Sequence, residues 1–598
     1  MKVIKEVVLD QGSHTLKLDK IYPIASVEGN HIAQIRYLAD HKPAVSVYSV
    51  VYADEIALDI TAKDSIRVML GKGYVVSIDP VWTKRFANRQ GWAGGDGIYS
   101  FNLSTGNDQF DQHTPATNLF VFGDTLVGRT DKITKQRYEP LIMTNNSMAY
   151  FDKGQDQVHF HLNRGVKQSI ESFFTLADRD NRKGTIPENL VQESERLKDL
   201  FWMSSFHPET VTITFDLNQK VDVTHIDVLN YWSQESPSLS SRGVKVLQLF
   251  GSQEGKKWDF IGEFQLKQSF SDEDISTIPV EKMYRYFKFD INPHPGIGNY
   301  EDDYEEAVFA LKRVSFFHHA RKYRDIRVEA SSIMLDEPAN AWIWLQDGVV
   351  SQNHLYFFPY TVVQDLQQPE GLQFAIKGIS MIKVPITNER LIYQHQSQRP
   401  IPFHGLHHGS EYAFGGAVMA QTKQAGSINP DGYVYIYGYK TTIGLRQMLA
   451  ARVKEEDIEL FDRWEFYDGT EWVSDYLKAK PLLDHISTEF SVSRVLEGVY
   501  QDLYLVVFTF DTDTAQVAFA LGETPVGPFT DPVIIYHTPE QAIFGKTTYT
   551  YNAKAHPQLS KSTDVLVTYN TNTYSFPHNM ENAEVYNPRF LRFKDTSK

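Results

Sequence analysis

No cysteine occurs in the 598 residues, which excludes disulfides, thiolate zinc sites, iron–sulfur clusters and cysteine nucleophiles together. Any metal chemistry must then use histidine or oxygen ligands. Long Lys/Arg runs are missing as well, and the formal net charge is −16, so the basic footprint that nucleic acid or an anionic membrane requires is absent. Neither partner is expected. The start lacks the roughly 7–15-residue apolar segment of a signal peptide, because Lys2, Lys5, Glu6 and Asp10 interrupt it. No run of about 18 apolar residues follows later. As written the chain reads as soluble and cytoplasmic, or as secreted if a leader was removed. Glycine-rich nucleotide loops and the G-x-S-x-G elbow are not found at a strand-to-helix junction, so nucleotide-dependent and serine-hydrolase classes drop out.

Aromatic residues are abundant: Phe 37, Tyr 32 and Trp 9. Period-2 alternation and aromatic or β-branched runs dominate, whereas 3.6-period helices are few and short. The fold class is all-β, and the length calls for two or more domains. Five segments share one pattern, a short aromatic strand bordered by Gly, Asp or Asn: NLFVFGDT (118–125), HLYFFPY (354–360), GYVYIYGY (432–439), LYLVVFTF (503–510) and VLVTYNTN (565–572). Their centres lie near 122, 357, 436, 507 and 568, so the first gap is 235 residues and the later ones 79, 71 and 61. A further strand candidate follows each unit: MTNNSMAYF, FAIKGISMIKV, LRQMLAARV, TAQVAFALG and AEVYNPRFLRF. Repeats of this kind predict a five-bladed β-propeller interrupted after its first blade, with a β-sandwich assembly lacking a rotational repeat as the alternative. The expected domains are an N-terminal β extension over 1–80, blade 1 over 81–165, an insertion over 166–320 and the remaining blades over 321–598.

Within the insertion, VTITFDL (211–217), HIDVLNYW (225–232), GVKVLQLFGSQEGKKWDFIGEF (243–264), YRYFKFDI (284–291) and ALKRVSFF (310–317) read as an antiparallel sandwich. With PENLVQ and Trp202 ahead of them, their order resembles the discoidin, or factor 5/8 C-type, fold. That resemblance implies a sugar-binding module.

The stretch richest in chemical signal is GWAGGDGIYSFNL (91–103) followed by FVFGDT (120–125). Gly94, Gly95 and Gly97 around Asp96, and Gly123 before Asp124, permit tight turns that bring a carboxylate close to a ligand. Aspartates beside glycine also cap turns without further function. Together with WLQDG (344–348), STEFSV (487–492), TPVGPF (524–529) and YNAKAHPQLS (551–560), the order resembles the five-bladed-propeller glycoside hydrolases that include the endo-D-arabinanases, glycoside hydrolase family 183. A longer spacing between the two aspartates, the insertion and the N-terminal extension depart from that pattern. The resemblance implies a furanose-containing, arabinan-like substrate and two catalytic aspartates, which match Asp96 and Asp124.

Glycoside hydrolysis needs one protonated carboxyl for the leaving oxygen and one ionised carboxyl as nucleophile or base. Asp124 is assigned as the acid, because the aromatic FVF strand beside it would raise a carboxyl pKa, and Asp96 as base or nucleophile. Candidate substrate-binding residues are Asp347, Trp344, His404, His407, Glu489, His556 and Lys554. Asp347 stands beside Trp342 and Trp344, where a sugar ring could pack on indole; a turn aspartate with core tryptophans is the alternative. His404, His407, His408 and Glu411 invite a zinc reading, but their spacing is not H-E-x-x-H and the glycines favour a loop, so no metal site is assigned. EDDYEE (301–306) could hold a structural calcium, though it lacks EF-hand spacing. No cofactor is otherwise expected, and the expected partner is carbohydrate. Two alternatives from other classes stay open: a non-catalytic carbohydrate-binding protein, and a phosphorylase or transglycosylase using Lys554 and Arg589 as an anion site.

Overall fold

In the computed structural model the described residues are 2–87, 90–111, 114–131, 133–164, 170–176, 182–191, 201–205, 211–234, 237–291, 293, 299–300, 308–331, 335–338, 341–366, 373–442, 444–512 and 514–597. Strands account for 57% of the chain and helix for 8%, which is the all-β class expected from the alternation. The α-helices among the described residues are short, Pro80–Phe86, Glu540–Phe544 and Phe576–Glu581, and no described helix is long and apolar enough to cross a membrane. Two compact units are present: residues 1–175, 342–456 and 465–598 form the first, and residues 176–341 with 457–464 the second.

The first unit opens with a seven-stranded antiparallel sheet between Val3 and Leu70. Its core is aliphatic, with Leu16, Ile24, Ile56, Leu58, Ile66 and Val68 turned inward. Of the antiparallel sheets that follow, five are built around the expected aromatic segments. In each of these the expected aromatic segment forms an interior strand: Asn118–Phe122, His354–Phe357, Tyr433–Thr442, Tyr504–Thr509 and Asp564–Thr573. The segments expected to follow them supply the next strand in each case, namely Ser147–Phe151, Phe374–Thr387, Leu445–Lys454, Gln516–Gly522 and Pro588–Asp595. All five positions from Asn118 to Phe122 are buried. A strand covered on both faces needs a continuous apolar run and not alternation, which is why these segments stand out.

The fifth sheet takes its outer strand from the other end of the chain. Tyr74–Ile78 pairs with Pro588–Asp595, placing Tyr74 opposite Asp595 and Ile78 opposite Leu591. The extension drawn over 1–80 thus yields its last strand to that sheet. Immediately after it, Asp79 caps the helix Pro80–Phe86 by accepting from the Val81 and Trp82 amides. Trp82 and Phe86 join Trp92, Phe120, Phe122 and Phe590 in one buried cluster, which anchors the strand leading to Asp124.

In the second unit two long strands, Val211–Asn230 and Ile275–Ile291, pair antiparallel and bulge near their middles. The first half of Val211–Asn230 pairs on its other side with Arg327–Ala330 and the second half with Ala310–His318. Trp202, Ile213, Phe215, Phe287, Phe289 and Phe316 fill the core. Since Arg321–Tyr323 and Arg327–Ala330 pair within this sheet, the unit runs past residue 320, where the insertion was drawn, to 341. The hairpin Asn163–Arg164 with Ile170–Glu171 stays with the first unit. The acidic run 301–306 lies outside the described residues, and the described residues contain no grouping of three or more His, Asp or Glu side chains able to hold a metal ion.

Candidate active site

Asp96 and Asp124 arise from one local construction. Strand Gln90–Gly95 pairs with Thr125–Thr130, with Gly95 opposite Thr125, and Tyr99–Asn102 pairs with Asn118–Phe122, with Tyr99 opposite Val121. The two ribbons belong to different sheets, and each aspartate sits where its strand crosses from one sheet to the other. Backbone bonds tie the crossings together: the Gly123 amide donates to the Asp96 carbonyl (2.8 Å) and the Asp96 amide to the Asp124 carbonyl (3.4 Å). Gly97 has φ +62°, and a Cβ at Gly123 would lie 2.6 Å from Asp96 Oδ1. Glycine at 123 is what allows the Asp96 side chain to lie against the neighbouring backbone.

Both aspartates line a cavity of about 790 Å³. Glu489, Glu411 and Arg446 line it too, as do Trp344 and Phe374, whose rings meet edge-on at 4.6 Å. Tyr549 and Tyr574, stacked at 4.4 Å, lie on another part of the wall with Phe576, which is 54% exposed. Aromatic faces beside carboxylates suit a ring with an apolar C–H face and polar hydroxyls.

Burial separates the two acids. It pushes the Asp124 carboxyl well above the usual carboxylate range, and the charge of Asp96 adds to this, while the Trp344 indole N–H, donating to Oδ2 at 3.2 Å, opposes it. Asp124 Oδ1 is buried with no hydrogen-bond partner among the described residues. Asp96 is raised to about 7, first by burial. The Tyr551 hydroxyl, donating to Oδ2 at 2.6 Å, is the leading opposing influence; Glu489 raises Asp96 further, and the Tyr586 hydroxyl and Lys554 lower it. Burial drives both tyrosines well above their ordinary value, so they remain donors. Burial therefore favours the protonated form of Asp124, and Asp96, near 7, is close to half ionised at neutral pH.

Of the expected substrate-binding residues, Trp344 and Glu489 line this cavity; the others do not. Asp347 lies behind the wall, its carboxylate accepting from the Val418 amide (2.7 Å) and its own neighbour Gly348 (2.9 Å). Both ring nitrogens of His556 are engaged, by Ser100 Oγ (2.6 Å) and Thr568 Oγ1 (2.8 Å), and the residue is 1% exposed; it is a buried structural histidine. The segment expected as a loop is a hairpin of Gly405–His407 with Ser410–Gln421; His404 approaches Glu411 at 3.8 Å and His407 packs on His408 at 4.1 Å, and of these only Glu411 lines the cavity. Lys554 is 2% exposed and walled off from it. Arg589 lies in a separate 500 Å³ cavity, paired with Glu540 at 3.3 Å; the anion site assigned to Lys554 and Arg589 is therefore not assembled.

Tyr551, Tyr586 and Arg446 were not anticipated. Tyr551 belongs to a quoted motif, YNAKAH, but 455 residues separate it from Asp96, and no local signal marks that meeting. Arg446 stacks over Tyr439 at 4.7 Å and its Nε donates to Thr441 Oγ1 at 3.3 Å.

A family described as a domain of unknown function, DUF5005, matches residues 312–596. No curated protein matches. Among solved structures, the chain is similar to a protein from Bacteroides ovatus ATCC 8483 described as a candidate hydrolase, at 13% identity, covering 87% of this chain and 90% of that one with a TM-score of 0.46. It is similar over 25% of its length to 97% of the C-terminal domain of a chitobiase from Bacteroides fragilis, at 19% identity and a TM-score of 0.18. It is also similar over 24% of its length to all of the CBM32-5 module of Clostridium perfringens, solved with GalNAc-β-1,3-galactose, at 14% identity and a TM-score of 0.18.

Proposed function

We propose that the protein is a glycoside hydrolase whose five sheets are the blades of a five-bladed β-propeller, and whose second unit is a discoidin-like module that holds glycan. The observation that carries this reading is the pair Asp96 and Asp124 on one aromatic-walled cavity, where burial raises both carboxyls and brings Asp96 to about 7. In the reaction Asp124 gives its proton to the leaving glycosidic oxygen. Asp96, ionised and held by the Tyr551 hydroxyl, acts as nucleophile or activates water. These steps need no cofactor. A furanose-containing, arabinan-like substrate is the specific proposal, supported by the sequence resemblance around the two aspartates.

Asp96→Asn and Asp124→Asn each lower product release from arabinan, arabinogalactan, fructan or galactan fragments by about 10²–10⁴-fold, with circular dichroism unchanged. The wild-type pH profile has an acid limb near 7, where Asp96 loses its proton. Full activity in both variants sinks the assignment. Glycan bound by the wild type without any product would instead support a binding protein.

A further inference from the structure

Lys554 is an unusual buried cation. It lies in strand Thr548–Ala555 at 2% exposure, and its ammonium has no hydrogen-bond partner among the described residues. A buried charge without acceptors persists only if nearby charges or π-faces replace the lost water. Nζ sits 3.7 Å from the centre of the Tyr99 ring, a cation–π contact strengthened by burial. The Tyr99 hydroxyl lies 3.2 Å from Gln346 Oε1, and Gln346 Nε2 donates to Glu489 Oε1 at 3.2 Å. Gln346 and Glu489 form part of the cavity wall.

The backbone explains how Lys554 comes to this place. Tyr551 pairs with Asn570 and Lys554 with Thr568, so three steps on one strand match two on its partner. Residues three apart on a regular strand face opposite sides, and the extra residue of the bulge turns both to one side. Asn552, inside the bulge, has φ +59°. Tyr551 then reaches Asp96 (2.6 Å), and Lys554 lies in the layer directly behind.

We infer that Lys554 is a positioning residue: its enclosed ammonium is the shared counter-ion of Glu489, Asp347 and Asp96, and it favours the ionised Asp96 that the proposed hydrolysis requires. The last clause rests on the hydrolase reading; the counter-ion role does not. The Tyr99 ring lies against Nζ, and the charged or titratable groups that act on Lys554 or feel its charge are those three carboxylates and His556. Burial holds Lys554 down to about 8, opposed by Glu489, Asp347 and Asp96, so it stays charged at neutral pH. Reciprocally, Lys554 lowers all three carboxyls against burial, and together with burial it holds His556 at about 3 and uncharged.

The test uses the full chain with 13C-labelled aspartate carboxyls, Asp96 being identified by its loss in Asp96→Asn. In Lys554→Met the Asp96 midpoint moves upward by about one pH unit, the acid limb of turnover moves with it, and KM stays within about twofold. Lys554→Arg, which keeps the charge, restores the midpoint at least in part. An Asp96 midpoint that does not move in a folded Lys554→Met overturns the inference, as does a rise in KM as the sole effect, which would make Lys554 a substrate contact. Should Lys554→Met not fold, Glu489→Gln gives the reciprocal reading: the Lys554 ammonium midpoint falls, and an unchanged midpoint overturns the inference. A wild type inactive on every glycan defeats the hydrolase reading, and the carboxyl titration still decides the role of Lys554.

Discussion

At the scale of single residues, the candidate site depends on a glycine as much as on its acids. Gly123 leaves 2.6 Å between a would-be Cβ and Asp96 Oδ1, a distance no real side chain keeps, so Gly123→Ala must push Asp96 from its hydrogen bond with Tyr551. Activity falls about 10²-fold while thermal stability changes little, as kinetics alongside calorimetry would record; an unaffected rate would mean that the Asp96 position is not critical. The two aspartates were legible because glycine marks both turns in the sequence itself. His556 was not separable from a ligand-binding histidine by sequence, because whether an imidazole faces a cavity or a pair of hydroxyls depends on Ser100 and Thr568, from two other strands. Lys554 posed the same difficulty, and its bulge became visible only through its partner strand.

Among elements, the aromatic strands were readable since each is covered on both sides and so carries a continuous apolar run. The strand Tyr74–Ile78 was not. It is five residues long, and no local feature separates it from the preceding sheet; its partner Pro588–Asp595 is about as far away as the chain allows. Val76, 4% exposed and packed with Phe593 and Leu591, is the place to test its worth. Val76→Asp buries an unpaired charge in that seam and lowers stability by about 3 kcal/mol or more, read as a lower urea midpoint. Val8→Asp, on a 61% exposed side chain of the N-terminal sheet, costs about 0.5 kcal/mol or less. Equal effects would argue that Tyr74–Ile78 does not secure the fifth sheet.

For the whole molecule, enclosed carboxyls couple stability to pH. Asp347 is raised to about 7, first by burial, against the Val418 and Gly348 amides and Lys554. Between about 4 and 7 the unfolded chain has released this proton and the folded chain retains it, so stability falls as pH rises through that window, by up to about 1.4 kcal/mol per pH unit for one group. Asp347→Asn removes this contribution. Its melting temperature relative to wild type therefore climbs from pH 4 to pH 7 and levels off above, and parallel curves would show that Asp347 is not held protonated. Sequence alone determined the all-β class, the five aromatic strand units and the two glycine-framed aspartates, because periodicity and turn chemistry are local properties of a chain. Tertiary structure decided which polar residues share a cavity and which lie behind its wall, how far the inserted unit extends, and which strand completes the last sheet. Those depend on contacts between residues hundreds of positions apart, whose energies come from burial and charge that no local stretch carries.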